Sequence, residues 1–209
     1  MNVKGFDDTI KWYDDNAKEY GELTYTESPE RLIQKFISML PRKASVLDAG
    51  CGGGRDCGLL LKKGAKVTGL DISKGLLQFA KKKNPDVDFI EGSFLELPFA
   101  NDTFDGIWAR AAILHLEKIE DVRKSLHEFH RVLKKNGILH IYTREQLGKE
   151  KTVLVSDRHT KQQRFFRYYQ KEELKTYLEE MSFTILELIS ETDMHGRDGI
   201  EWIRVFAKK

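Results

Sequence analysis

From Val46 to Gly54 the chain reads Val-Leu-Asp-Ala-Gly-Cys-Gly-Gly-Gly, an apolar run that enters four glycines within five residues. Glycine lets a backbone turn sharply and come close to a ligand, because no Cβ intervenes. Where such a turn joins a strand to a helix, exposed N–H groups and the helix start favour anionic or polar groups. Asp71 follows Gly50 by twenty-one residues, at the end of the next predicted strand. A carboxylate there can accept from both hydroxyls of a ribose. Four glycines that only start a helix would be costly in backbone entropy. Glycines and acid together point to a ligand containing a nucleoside.

The spacing separates two kinds of nucleoside. A dinucleotide turn follows G-x-G-x-x-G, with the third glycine allowing close helix packing. Counted from Gly50, that position is Arg55. The pattern is instead D-x-G-x-G-x-G, with Asp48 ahead of the first glycine. A carboxylate there repels a pyrophosphate and suits a ligand carrying an ammonium group. A nicotinamide oxidoreductase is thereby disfavoured.

These residues must be held by an alternating pattern of elements. Ser28 and Pro29 read as the cap and first residue of a helix that stops before Pro41. Ala44–Asp48, Lys66–Leu70, Val87–Ile90, Phe104–Trp108 and Ile138–Tyr142 read as strands. Between them, Asp56–Lys63 reads as one helix, and Ser73 caps a second. Apolar residues at 119, 122, 126, 129 and 133 give a third helix one apolar face, ended by Asn136-Gly137. Glu172–Met181 reads as a helix, and Phe183–Ile189 with Ile200–Ala207 as a closing antiparallel pair. Strands alternating with helices imply a mostly parallel α/β sheet covered on both faces.

At this point a resemblance becomes specific. VLDAGCGGGRD is similar to the cofactor turn of class I S-adenosylmethionine-dependent methyltransferases, and VTGLDIS to their second motif. IEGSFLELPFANDTFDGIWA resembles the third- and fourth-strand region of small-molecule-type members of the methyltransferase domain 11/25 kind. AILHL followed by RVLKKNGILHI resembles the segments after it. The likeness covers residues 44–143 in order. It implies a Rossmann-like, seven-stranded, mostly parallel sheet with an antiparallel last strand, and cap helices ahead of it. It further implies one methyltransferase domain over 1–209. Residues 1–40 would be the cap, 44–143 the cofactor core, and 144–209 the substrate cover and last strands.

The resemblance also implies roles. S-adenosyl-L-methionine would lie with its methionine part against the backbone of Gly50, Cys51 and Gly52, near Asp48. Asp71 would hold the ribose and Ile72 would pack on the adenine. Where the family usually has an acid for the adenine amino group, this chain has Ser93, a neutral and weaker acceptor; Phe94 can add its N–H and ring. The stretch Trp12–Tyr20 resembles a cap helix whose Tyr13 and Tyr20 close over the methionine part.

Methyl transfer needs positioning in line and exclusion of water, and a base only if the nucleophile must lose a proton. No catalytic constellation is therefore obligatory. Near the expected methyl position lie Ala109, Arg110 and His115. His115 is either a base or a brace for the next helix. Arg110 either binds a carboxylate or forms a structural ion pair.

Arg158 to Lys175 interleaves basic residues, among them Arg158, His159, Lys161, Arg164 and Arg167, with Phe165, Phe166, Tyr168 and Tyr169. Such a mixture suits RNA, a small anionic or aromatic substrate held by Arg164 and Tyr168, or a solvated edge. With the segment around Tyr142, it loosely resembles wobble-uridine tRNA methyltransferases. A small-molecule acceptor, an RNA acceptor and a catalytically silent cofactor-binding module thus all stand as readings.

Composition bounds these choices. The 209 residues are 40% hydrophobic and 33% charged, with a net charge of +2. That describes a globular chain without a dominating charge. Cys51 and Cys57 share one short segment, which argues against a disulfide framework and supplies too few ligands for a metal. MNVKGFDDTIKWYDD lacks the apolar stretch of a secretory signal, and no run approaches a membrane span. A cytoplasmic location is expected.

Overall fold

The computed structural model describes residues 5–26, 28–156, 163–193 and 198–209. The apolar runs form strands β1 (Ser45–Ala49), β2 (Lys66–Asp71), β3 (Asp88–Glu91), β4 (Phe104–Arg110) and β5 (Leu133–Arg144). A separate antiparallel pair, β6 (Thr152–Ser156) and β7 (Gln163–Arg167), precedes β8 (Thr184–Thr192) and β9 (Glu201–Lys208). The main sheet has the order β3-β2-β1-β4-β5-β9-β8. Its first five strands are mutually parallel, and β9 runs antiparallel to both neighbours. This is the expected Rossmann-like sheet with an antiparallel last strand. The order turns back between β1 and β4, the place where open parallel sheets form a ligand crevice.

Alternation along each strand divides the core. Val46 faces a layer with Phe36, Leu60 and Leu77, contributed by α3 (Glu30–Ser38), α4 (Arg55–Lys62) and α5 (Lys74–Lys83). Leu47 and Ala49 face Leu126 and Phe129 of α6 (Ile119–Val132) and Leu178 of α7 (Lys171–Glu180). Both faces are dry, so the strands read as continuous apolar runs. Each large side chain buried this way contributes about 1.5–3 kcal/mol.

Two helix boundaries depart from the sequence reading. Pro29 is the cap of α3 and not its first residue; its carbonyl accepts from Leu32 and Ile33 N–H, both at 3.0 Å. α6 ends at Val132, ahead of Asn136-Gly137. Leu133 already pairs with Phe104, and residues 134–137 are taken up in an irregularity before Ile138 meets Gly106. Asn136, with φ 66°, makes the left-handed turn inside it.

The N-terminal stretch is two helices, α1 (Phe6–Asp15) and α2 (Ala17–Tyr25), broken at Asn16, whose side chain donates to the Trp12 carbonyl at 2.8 Å. Asp14 fastens α1 to the sheet. Its Oδ1 accepts from Ser73 Oγ at 2.7 Å and from Gly75 N–H at 2.9 Å, a placement the start of α5 favours electrostatically. The β6–β7 pair docks on the same helix, with Phe165 N–H donating to Thr9 Oγ1 at 2.9 Å.

Candidate functional site

A cavity of about 530 Å³ lies at the carboxyl ends of β1, β2, β4 and β5, a size typical of small-molecule sites. Asp48, Gly52, Asp71, Arg110 and Arg144 belong to its floor. Thr9, Tyr13 and Tyr20 from the N-terminal helices, with Val155, Arg164 and Phe166 from the β6–β7 pair, form its roof.

The Gly-rich turn is held by its own hydrogen bonds. Gly50 and Cys51 N–H both donate to the Leu70 carbonyl, at 2.8 and 3.0 Å. Gly52 N–H donates to Asp71 Oδ2 at 2.7 Å, and Gly54 N–H to the Cys51 carbonyl at 3.0 Å. These four donors therefore serve the turn itself, which corrects the expectation of exposed N–H groups. To a ligand the turn offers close approach and carbonyl oxygens, each with a second lone pair. Gly50 (φ 79°) packs so tightly that a Cβ would lie 2.6 Å from Ala112 Cβ. A Cβ on Gly52 (φ 52°) would meet nothing nearer than Leu76 Cδ1 at 4.0 Å. Open space therefore lies over Gly52, next to Asp71.

Three acids stand at this end. Asp48 is 2% exposed and accepts from Cys57 Sγ at 3.1 Å. Burial, then the Asp56 charge, pushes its carboxyl well above the ordinary carboxylate range, beyond what Cys57 and Arg55 offset. Asp56 goes the other way. Burial works against its charge, but Arg55 and Arg110, with hydrogen bonds from Arg55 and Trp108, hold it low. Arg55 Nε donates to Asp56 Oδ1 at 2.6 Å, and Trp108 Nε1 to Asp56 Oδ2 at 2.9 Å. Asp71 is raised by burial, an effect the Ser73 and Gly52 N–H bonds moderate.

The roof closes on an aromatic cage. The Arg164 guanidinium lies 4.4 Å from the Trp12 ring and 5.5 Å from the rings of Tyr13, Tyr20 and Phe166, within cation–π range. Its Nη1 donates to Tyr13 Oη at 3.1 Å. His115 joins this group through both ring nitrogens, Nδ1 at 3.0 Å from the Phe165 carbonyl and Nε2 at 3.0 Å from Tyr13 Oη. A carbonyl only accepts, so Nδ1 carries the proton and Tyr13 donates to Nε2. Burial pushes His115 down to about 4 and Tyr13 well above its ordinary value.

Residues 47–141 match the family described as "Methyltransferase domain". A demethylmenaquinone methyltransferase of Chlorobaculum parvum is 38% identical over 101 residues, 48% of this chain and 41% of that protein. The chain thus aligns with about two fifths of that relative's length. An S-adenosylmethionine-dependent methyltransferase from Methanosarcina mazei superposes with a TM-score of 0.77 at 20% identity, over 87% of this chain and 97% of that one. The Burkholderia thailandensis 1,6-didemethyltoxoflavin-N1-methyltransferase, solved with 1,6-didemethyltoxoflavin and S-adenosylhomocysteine, superposes at 0.75 with 22% identity, over 100% of this chain and 92% of that one. Over residues 47–141 the chain thus matches a methyltransferase domain, and its fold is that of solved S-adenosylmethionine-dependent methyltransferases.

Within this methyltransferase fold, most of the residues singled out from the sequence meet at the cavity. Asp48, Gly50, Cys51, Gly52, Asp71, Ile72, Ser93 and Phe94 line one end. Tyr13, Tyr20, Arg110, His115 and Arg164 line the remainder. The residues present fit an adenosine with an amino-acid tail. Gly52 leaves room beside Asp71, and Ile72 is an apolar side chain left 37% exposed. Ser93 Oγ already accepts from Leu95 N–H at 3.1 Å, which leaves one lone pair for an adenine amino group.

Two residues are not brought there. Ala109 is fully buried with Ile107 in the core layer beneath α6, because strand alternation turns it away from the side occupied by Trp108. Tyr168 lies beyond the end of β7, with the Arg144 guanidinium 5.3 Å from its ring. Of the basic stretch, Arg158, His159 and Lys161 lie outside the described residues. Arg167 is buried, 3.6 Å from Glu173 and donating to the Glu117 carbonyl at 3.1 Å.

The sequence reading missed Trp12, Asp14, Arg144 and Trp202. Trp12 lay in the quoted cap stretch, but its partner Arg164 is far away in sequence. Arg144 and Trp202 face each other only because β9 pairs antiparallel with β5, placing them in register.

Proposed function

We propose that the protein is a methyltransferase, which binds S-adenosylmethionine in the cavity and transfers its methyl group to a small molecule held beneath the roof. The observation that carries this reading is the cradle formed by Gly52 and Asp71, an open space beside a carboxylate already oriented by two backbone N–H groups. S-adenosylmethionine, when bound, supplies an electrophilic methyl group on a sulfonium. Asp71 receives the ribose hydroxyls, Ile72 packs on the adenine, and Asp48 faces the ammonium end. Tyr13, Tyr20 and Arg164 close over the site and exclude water, which strengthens every polar contact inside. His115 has both ring nitrogens engaged and braces the roof; the acceptor's own ionisation provides the nucleophile.

A small acceptor is favoured over RNA, because Arg164 and Arg167 of the basic stretch turn inward. Arg164 is caged, Arg167 is buried, and Phe165 is only 9% exposed. Among the described residues, no helix is long and apolar enough to cross a membrane. Cys51 and Cys57 are both free and buried, which supports placement in the reducing cytoplasm.

The test is transfer of radiolabel from methyl-labelled S-adenosylmethionine into a cell extract divided into small-molecule, RNA and protein fractions. Label in the small-molecule fraction is the expected result. Label in RNA would replace the acceptor class, and no label anywhere would favour a silent binding module.

A further inference from the structure

The cavity has a second end, at the last residues of β5, with a different chemistry. Tyr142 and Trp202 stack there, ring centroids 4.8 Å apart and planes 12° from parallel. The Arg144 guanidinium lies 5.2 Å from the Trp202 ring and 5.3 Å from the Tyr168 ring. Among the described residues Arg144 has no carboxylate partner, and its Nε is buried without a hydrogen bond. The other charges nearby have partners of their own: Asp193 accepts from Trp202 Nε1 at 2.8 Å, Arg164 is caged, Arg55 binds Asp56, and Arg110 lies 5.2 Å over the Tyr142 ring with its charge acting on Asp56.

A guanidinium beside aromatic rings loses hydration on its faces and keeps its donors in the plane of the fork. A partly buried cation without an anion is unfavourable, and a ligand that brings an anion relieves it. We propose that the methyl acceptor carries a carboxylate, and that Arg144 receives it through its fork at this end of the cavity. One fork matches one monoanion with two coplanar oxygens. Arg144 is then a specificity-determining residue. This inference rests on the methyltransferase reading above and narrows its substrate from a small molecule to a small organic acid.

The test uses the small-molecule filtrate of a cell extract, divided beforehand on an anion exchanger and incubated with the protein and methyl-labelled S-adenosylmethionine. Label is expected in the retained fraction, and phosphatase treatment of that fraction beforehand leaves it unchanged. Arg144→Gln is expected to lower the labelling rate by about tenfold or more, as loss of a charged hydrogen-bonded pair does. Calorimetric affinity for S-adenosylhomocysteine should be retained in that variant. Arg144→Met, which can pack between the same rings, is the second variant and should behave alike. Three results would overturn the carboxylate assignment and leave methyl transfer standing: label in the unretained fraction, loss of label after phosphatase, or undiminished labelling by both variants. Failure of the unmodified protein to bind S-adenosylhomocysteine, or to label any fraction, would overturn the methyltransferase reading and this inference with it.

Discussion

Asp71 Oδ2 accepts the Gly52 N–H at 2.7 Å, so the carboxylate at the end of β2 also fixes the turn after β1. Its other oxygen accepts from Ser73 N–H at 2.9 Å, which places the start of α5. One side chain thus sets the spacing between two neighbouring strand ends, and the open space over Gly52 has its shape because of that link. Ligand contact and turn geometry are coupled through this residue.

Glycines that serve the fold should separate from those that serve the ligand. Gly50→Ala adds a left-handed alanine and a 2.6 Å clash with Ala112 Cβ, a loss of about 3 kcal/mol. Gly52→Ala meets no near neighbour and should lose only about 1 kcal/mol. Thermal unfolding is expected to rank Gly50→Ala well below Gly52→Ala. Calorimetry should then find Gly52→Ala folded but weakened for S-adenosylhomocysteine.

Arg164 ties β7 to the N-terminal helices through the rings of Trp12, Tyr13 and Tyr20 and the Tyr13 hydroxyl. Arg164→Ala should destabilise the roof by about 1–2 kcal/mol. Hydrogen exchange at the amides of Thr9 to Tyr13 is expected to quicken, while that of β1 and β4 stays as it was. Equal protection in α1 would show that the cage does not hold the roof.

Acid should weaken the protein through its buried histidines. Burial pushes His115 from 6.5 down to about 4, and His140 from 6.5 down to about 3. For a lowered histidine the stability is fully present above the unfolded value and is lost as pH falls from 6.5 toward the folded value. Near pH 5, each contributes a slope of about 1.4 kcal/mol per pH unit. His115→Gln should remove about that slope, as read from denaturant unfolding across about pH 4.5 to 6.5.

Asp48 titrates with the opposite sign. Burial and the Asp56 charge raise it above its ordinary 3.8. The stability it contributes is therefore present below 3.8 and is lost as pH rises through the raised value. Asp48→Asn keeps the size without the titration. It should gain stability relative to the unmodified protein between about pH 5 and pH 9. A ligand ammonium beside Asp48 favours the charged form, so binding of S-adenosylhomocysteine near neutrality should release a proton. That release shows as a binding heat that varies with the ionisation enthalpy of the buffer.

The sheet was legible because β1, β2 and β4 are buried on both faces and read as short apolar runs between glycines. The cavity end built by Gly52, Asp71 and Ile72 was legible because its members follow two adjacent strands. The boundary at Val132 was not legible. The αL residue Asn136 looks like a helix stop, while Leu133 has already joined the sheet. Nor was the roof: Trp12 and Arg164 meet through a tertiary contact that neither segment encodes alone. The hydrogen bonds inside the turn escaped for the same reason, since the Leu70 carbonyl that takes two of its donors belongs to another strand.

The most direct measurement is calorimetric titration of S-adenosylhomocysteine into the unmodified protein and into Asp71→Ala. One site per chain is expected in the first, and a loss of about tenfold or more in affinity in the second, as removal of a charged acceptor produces. Equal affinities, or no binding to the unmodified protein, would contradict the account.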